Sequence, residues 1–112
     1  MNIRPIDEFV SVTGQITPDQ IAGIKAAGYK SIVCNRPDGE EPGQPEFDAV
    51  KKAAEEAGLY VAYVPVGGMG ITPDAVTGMV DALDEMEKPV LAYCRSGARS
   101  TRLYEAAKHL RG

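Results

Sequence analysis

The chain has 112 residues, a formal net charge of −4, 44% hydrophobic and 25% charged residues. That size suits one globular domain, that charge argues against a nucleic-acid-binding face, and no apolar run reaches membrane-spanning length. Two cysteines, Cys34 and Cys94, make no disulfide scaffold, the single His109 rules out a histidine-rich metal site, and Met1–Val10 lacks the apolar core of a signal peptide, so one cytoplasmic domain over residues 1–112 is expected.

Phe9 to Ile16 alternates apolar and polar side chains through Val10 and Val12 and reads as a strand or hairpin turning at Gly14. Thr17-Pro18-Asp19-Gln20 is a helix start: threonine caps, proline takes the first turn and Gln20 completes a capping box. Ile21 and Ile24 face the core, and Gly28 stops that helix. A second strand runs from Tyr29 to Cys34, then a polar loop of turn formers from Asn35 to Gly43. A helix from Pro45 to Ala57 turns Phe47, Val50, Ala53, Ala54 and Ala57 inward, and a third strand spans Leu59 to Val66. Gly67–Gly70 is a flexible loop. Thr72-Pro73-Asp74 starts a helix that repeats the Ile16–Asp19 pattern, as shared capping chemistry, with Val76, Met79, Val80 and Leu83 on one face. Pro89 to Tyr93 is a last, buried strand, and Leu103, Ala106, Ala107 and Leu110 mark a last helix.

This β-α alternation predicts an α/β domain with a central, mostly parallel sheet of four or five strands and helices on both faces. Ligands of such sheets bind at the carboxyl ends of the strands. That rim carries the Cys94 loop, the Asn35–Glu41 loop and the Gly67–Gly70 loop.

The chemistry concentrates in Cys94-Arg95-Ser96-Gly97-Ala98-Arg99-Ser100. A strand that turns tightly into a helix aims backbone N–H groups and a positive helix terminus at one point. A cysteine at that point has a stabilised thiolate. Gly97 supplies the backbone freedom. Arg99 closes the loop, Arg95 points outward to recruit substrate, and Ser96 and Ser100 offer hydroxyls to the sulfur. The segment is an anion pocket with a nucleophile at its floor. Arg102 is expected on the surface. Cys34 has two readings, a sulfur relay or regulatory disulfide partner, and a small buried apolar residue.

The loop resembles two signatures. Tyrosine and dual-specificity phosphatases carry His-Cys, five residues, then Arg-Ser/Thr; here Tyr93 precedes Cys94, and four residues separate Cys94 from Arg99. Rhodanese-type sulfurtransferases carry the shorter loop, which CRSGAR matches. Beyond the loop, Val12-Thr13-Gly14-Gln15, AGYKSIVCNRPDGE, QPEF, AEEAGLYVAYVPV and LAYCRSGARS resemble the β-lactamase hydrolase-like protein, phosphatase-like domain family over roughly residues 10 to 108. The resemblance implies a protein-tyrosine-phosphatase-like fold bearing a rhodanese-length loop. It implies sulfur transfer in sulfide or persulfide metabolism beside a persulfide dioxygenase or other sulfide-handling enzyme. In the NRPDGE segment, Arg36 and Asp38 have two readings. In one, Arg36 helps bind an anionic donor and Asp38 orients Arg99 or Arg36; in the other, Asn and Asp side chains simply hold a turn. Dual-specificity phosphatases continue with further helices beyond the point where this chain stops, which implies that part of the sheet needs a partner or remains exposed.

The expected activity is therefore a cofactor-free sulfurtransferase that carries sulfane sulfur as a Cys94 persulfide and acts on a small sulfur-containing or oxyanionic substrate. The alternative is a cysteine phosphatase with Cys94 as nucleophile and Arg99 as phosphate clamp, although PVGGMG lacks the acid expected there. The third reading is a non-catalytic anion- or persulfide-sensing module.

Overall fold

The computed structural model describes residues 1–111. The elements are β1 (Arg4–Pro5), β2 (Val10–Thr13), a 3-10 turn (Pro18–Gln20) running into α1 (Ile21–Ala26), β3 (Ser31–Cys34), α2 (Phe47–Glu56), β4 (Tyr60–Tyr63), α3 (Pro73–Glu85), β5 (Val90–Tyr93) and α4 (Ala98–Arg111). They form one five-stranded sheet in the order β1-β2-β5-β3-β4. β2, β5, β3 and β4 are parallel, and β1 pairs antiparallel with β2.

The side chains of the sheet sort by the two-residue period of a strand. Val12, Val33, Val90 and Ala92 pack under α3 and α4 with Met79, Leu83 and Leu103. Ile32, Cys34, Leu91 and Tyr93 pack under α1 and α2 with Ile24, Val50 and Ala54. Two covered faces explain why β2, β3 and β5 are buried throughout, while edge strand β4 leaves Tyr60 and Tyr63 exposed.

Thr13, Tyr93, Cys34 and Tyr63 stand side by side in the last row of the parallel strands. The next residues of the first three strands, Gly14, Cys94 and Asn35, therefore begin the rim together. The Asn35 N–H donates to Tyr93 O (2.7 Å) and the Cys94 N–H to Thr13 O (3.3 Å), extending the pairing one step past the sheet.

Several boundaries differ from expectation for physical reasons. β1 is too short and polar to leave a periodic signal. Gly14 makes no hairpin turn; it passes so close to the Cys94 loop that a Cβ there would sit 2.9 Å from Arg95 O. The Ile-Thr-Pro-Asp repeats diverge. At Thr72 the side chain accepts from the Ala75 N–H (3.1 Å) and a true α-helix starts. At Thr17 the Gln20 side chain returns to the Thr17 N–H (3.0 Å), and the first turn is 3-10. α2 begins at Phe47 rather than Pro45, because its free N–H finds Asp38 Oδ1 at 2.8 Å.

Candidate active site

Cys94 directly follows the central strand β5 and is fully buried. The chain then turns through Arg95-Ser96-Gly97 into α4, whose first residue is Ala98. The turn needs Gly97 at φ +94°, in the left-handed region. Its N–H donates to Cys94 Sγ at 3.0 Å. Burial alone would push the Cys94 thiol up. Donor groups of Ser100, Ser96 and Gly97 close to the sulfur outweigh burial and hold it below the ordinary thiol value. Ser100 is itself fully buried beneath the loop, and its hydroxyl has no hydrogen-bond partner among the described residues. The first turn of α4 thus supplies donors that an α-helix leaves unpaired at its start. A thiolate is stabilised where an incoming oxyanion would meet the same donors.

The arginines are held by carboxylates of the loop after β3. Glu40 receives Arg99 in a two-point pair, Nη1 to Oε2 at 2.7 Å and Nη2 to Oε1 at 2.8 Å, and also receives Arg36 Nε at 2.9 Å. The Arg99 hydrogen bonds, with further help from Arg36, hold the Glu40 carboxyl down at about 2. Arg99 Nη1 also donates to Val66 O (2.6 Å), tying α4 to the Gly67–Gly70 loop. Glu41 bridges Arg95 (2.9 Å) and Arg36 (3.1 Å). Gln15 Oε1 accepts from Arg36 Nη1 (3.1 Å).

The structure thus gathers Cys94, Arg95, Ser96, Gly97, Ala98, Arg99, Ser100 and Arg36 at one rim, but it changes three assignments. Asp38 does not orient an arginine: its carboxylate accepts the Phe47 N–H at the start of α2, and Glu40 holds both Arg36 and Arg99. Arg36 is only 4% exposed and stands behind Glu40 and Glu41, so it braces the acidic loop rather than presenting itself to a ligand. The Ser96 hydroxyl accepts from the Ala98 N–H (3.4 Å), and the Ser96 contribution to the sulfur comes from its backbone. Arg95 is exposed as expected. Cys34 is buried among the residues under α1 and α2, burial pushes its thiol up, and it donates to Arg36 O at 3.2 Å. Both cysteines are free.

Glu40, Glu41 and Gln15 carry no motif of their own, because their roles depend on which loops the parallel sheet brings together. Arg4 reaches the outside of the Cys94 loop: a Cβ on Gly97 would lie 2.7 Å from its Nη2. Arg102 sits beside Arg99 on the wall of a pocket under the Gly67–Gly70 loop. Among the described residues no cluster of histidine, cysteine and carboxylate side chains could hold a metal ion, and no helix is long and apolar enough to cross a membrane.

The model of the family "Beta-lactamase hydrolase-like protein, phosphatase-like domain" matches residues 2–110. A beta-lactamase hydrolase-like protein of Xylella fastidiosa is 39% identical over 112 residues, which is 100% of this chain and 26% of that protein. The chain thus spans about a quarter of the length of the curated relatives it matches. A solved candidate phosphatase of Neisseria meningitidis is 35% identical with a TM-score of 0.87, covering 100% of this chain and 80% of that one. A second candidate phosphatase, of Shewanella putrefaciens, has the same fold at 21% identity, with a TM-score of 0.84 over 98% of this chain and 69% of that one. The fold is phosphatase-like, and the two readings of the Cys94 loop change places: these findings favour the phosphatase over the sulfurtransferase.

Proposed function

Because the chain belongs to the family of the beta-lactamase hydrolase-like protein, phosphatase-like domain, we propose that it is a cysteine-dependent phosphatase acting on small phosphorylated compounds. The observation that supports this reading is Cys94 Sγ at the start of α4, accepting the Gly97 N–H at 3.0 Å, with its thiol held below the ordinary value. In this mechanism Cys94 Sγ attacks phosphorus and the bond to the leaving oxygen breaks with its electron pair. The loop N–H groups, with Arg99 at the loop's edge, stabilise the charge on the non-bridging oxygens. Water then displaces the cysteine from the thiophosphate, releasing phosphate and returning the thiolate.

Proton donation is the weak part of this site. Glu40, the carboxyl paired with Arg99, stays ionised down to about pH 2. Asp38 is committed to the start of α2, and Val66–Gly70 carries no carboxyl. The substrates that suit the site have leaving groups needing no proton, such as acidic phenols or phosphoanhydrides.

Sulfane-sulfur transfer is the second reading, favoured by loop length. Six residues from Cys94 to Arg99 crowd the donors onto the sulfur atom itself, which suits a persulfide. An aryl phosphate assay run beside mass spectrometry after exposure to a sulfane-sulfur donor separates the two. The phosphatase reading expects hydrolysis that Cys94→Ser abolishes. Sulfur uptake on Cys94 without any phosphate release would replace it with the second reading.

A further inference from the structure

A pocket of about 330 Å³ opens between the Gly67–Gly70 loop and the first turns of α4. Its walls are Gly67, Gly68 and Gly70, the apolar Val66 and Ile71, and the side chains of Arg99 and Arg102. No carboxylate lines it. We propose that this pocket binds a second phosphate-like oxyanion of the same small substrate whose reacting group sits in the Cys94 loop. The substrate class is then a diphosphate or bisphosphate compound. For the group transferred, this rests on the phosphatase reading; for the binding of two oxyanions, it does not.

Three observations carry it. The exposed Arg102 side chain makes no ion pair or hydrogen bond with another described residue, whereas the side chains of Arg99, Arg95 and Arg36 are all tied to Glu40 or Glu41. A cation left unpaired on a pocket wall beside a neutralised one is placed for an anion from solution. Second, Arg102 lies three residues after Arg99 on α4, so their Cβ atoms are neighbours about 5–6 Å apart. Arg99 both closes the Cys94 loop and lines the pocket, so the pocket adjoins the loop that would hold the reacting phosphorus. Third, Gly68 has an ordinary backbone, and a Cβ built on it meets nothing within 4 Å. Neither folding strain nor crowding calls for glycine there, while close approach of a ligand to the loop backbone does.

Two uncleavable probes test the proposal on the native protein by calorimetry: methylenediphosphonate and methylphosphonate. The diphosphonate should bind about tenfold tighter or more. Arg102→Gln should erase most of that advantage and leave methylphosphonate binding within about twofold. Lys108→Gln, which removes one charge further along α4, should leave the advantage intact. Equal affinity for the two probes, no binding of either, or an advantage that survives Arg102→Gln or falls equally with Lys108→Gln overturns the proposal. The two readings fail separately. Loss of the phosphatase reading shows as no aryl phosphate turnover with the diphosphonate advantage intact. Loss of the subsite shows as turnover without the advantage.

Discussion

Glu40→Gln removes one charge from the centre of the arginine cluster and keeps the side chain's shape. In the folded protein the Glu40 carboxyl is held at about 2 against an ordinary 4.5. Each pH unit of that difference corresponds to about 1.4 kcal/mol, which sets a ceiling of about 3 kcal/mol on what its charge contributes to stability. The side chain is 25% exposed, so solvent screening reduces the expected loss to about 1–2 kcal/mol. Part of that loss falls on Arg36, which is 4% exposed and keeps only Glu41 and Gln15. A depressed carboxyl stabilises fully above its unfolded value and loses that contribution as pH falls through its folded value. The gap between native protein and variant should therefore be whole at pH 7 and shrink between about pH 4.5 and about pH 2. Urea unfolding of both proteins at pH 7 and pH 3 measures it. A gap of the same size at both pH values, or no gap at pH 7, refutes Glu40 as the electrostatic anchor of Arg99 and Arg36.

Alkylation of Cys94 followed against pH, in a Cys34→Ser background, should give a midpoint below that of a free cysteine, because the donors of the loop outweigh burial; a midpoint at or above the free value removes the activated nucleophile. Gly14→Ala should slow both alkylation and turnover, since the new Cβ meets Arg95 O at 2.9 Å, whereas Gly23→Ala, with open space around it in α1, should gain about 0.5–1 kcal/mol in urea unfolding and leave the site unchanged. Asp38→Ala should cost about 1 kcal/mol through the exposed start of α2 and leave the Cys94 alkylation midpoint in place, whereas a large change in that midpoint would return Asp38 to the active site.

The layered α/β fold and its site-bearing rim were legible because buried strands and amphipathic helices write their periods into the chain. Val90–Tyr93 followed by Cys94 and Gly97 reads directly as strand, nucleophile and turn. What stayed hidden depends on approach between distant segments. Nothing local separates Asp38 from Glu40 as the partner of Arg99, two residues apart in one polar loop. The choice is made by the free N–H of Phe47, which draws Asp38 toward α2 and leaves Glu40 facing α4. Arg102 is exposed, as its spacing off the buried stripe of α4 implied, and the path of the Gly67–Gly70 loop is what makes its position a pocket wall.

β5 lies between β2 and β3, with two further strands outside them. A central strand is the last to fray, since opening it requires both neighbours to part. Hydrogen exchange at Leu91, Ala92 and Tyr93 should therefore track global unfolding, while amides of the loop between β3 and α2, held chiefly by side chains, should exchange through far cheaper local openings. The nucleophile and the acidic loop facing it thus sit at opposite ends of the molecule's rigidity scale. The fold can reshape the loop that holds the arginines at this rim, and so retune which molecules bind there, without loosening the strand that leads to Cys94.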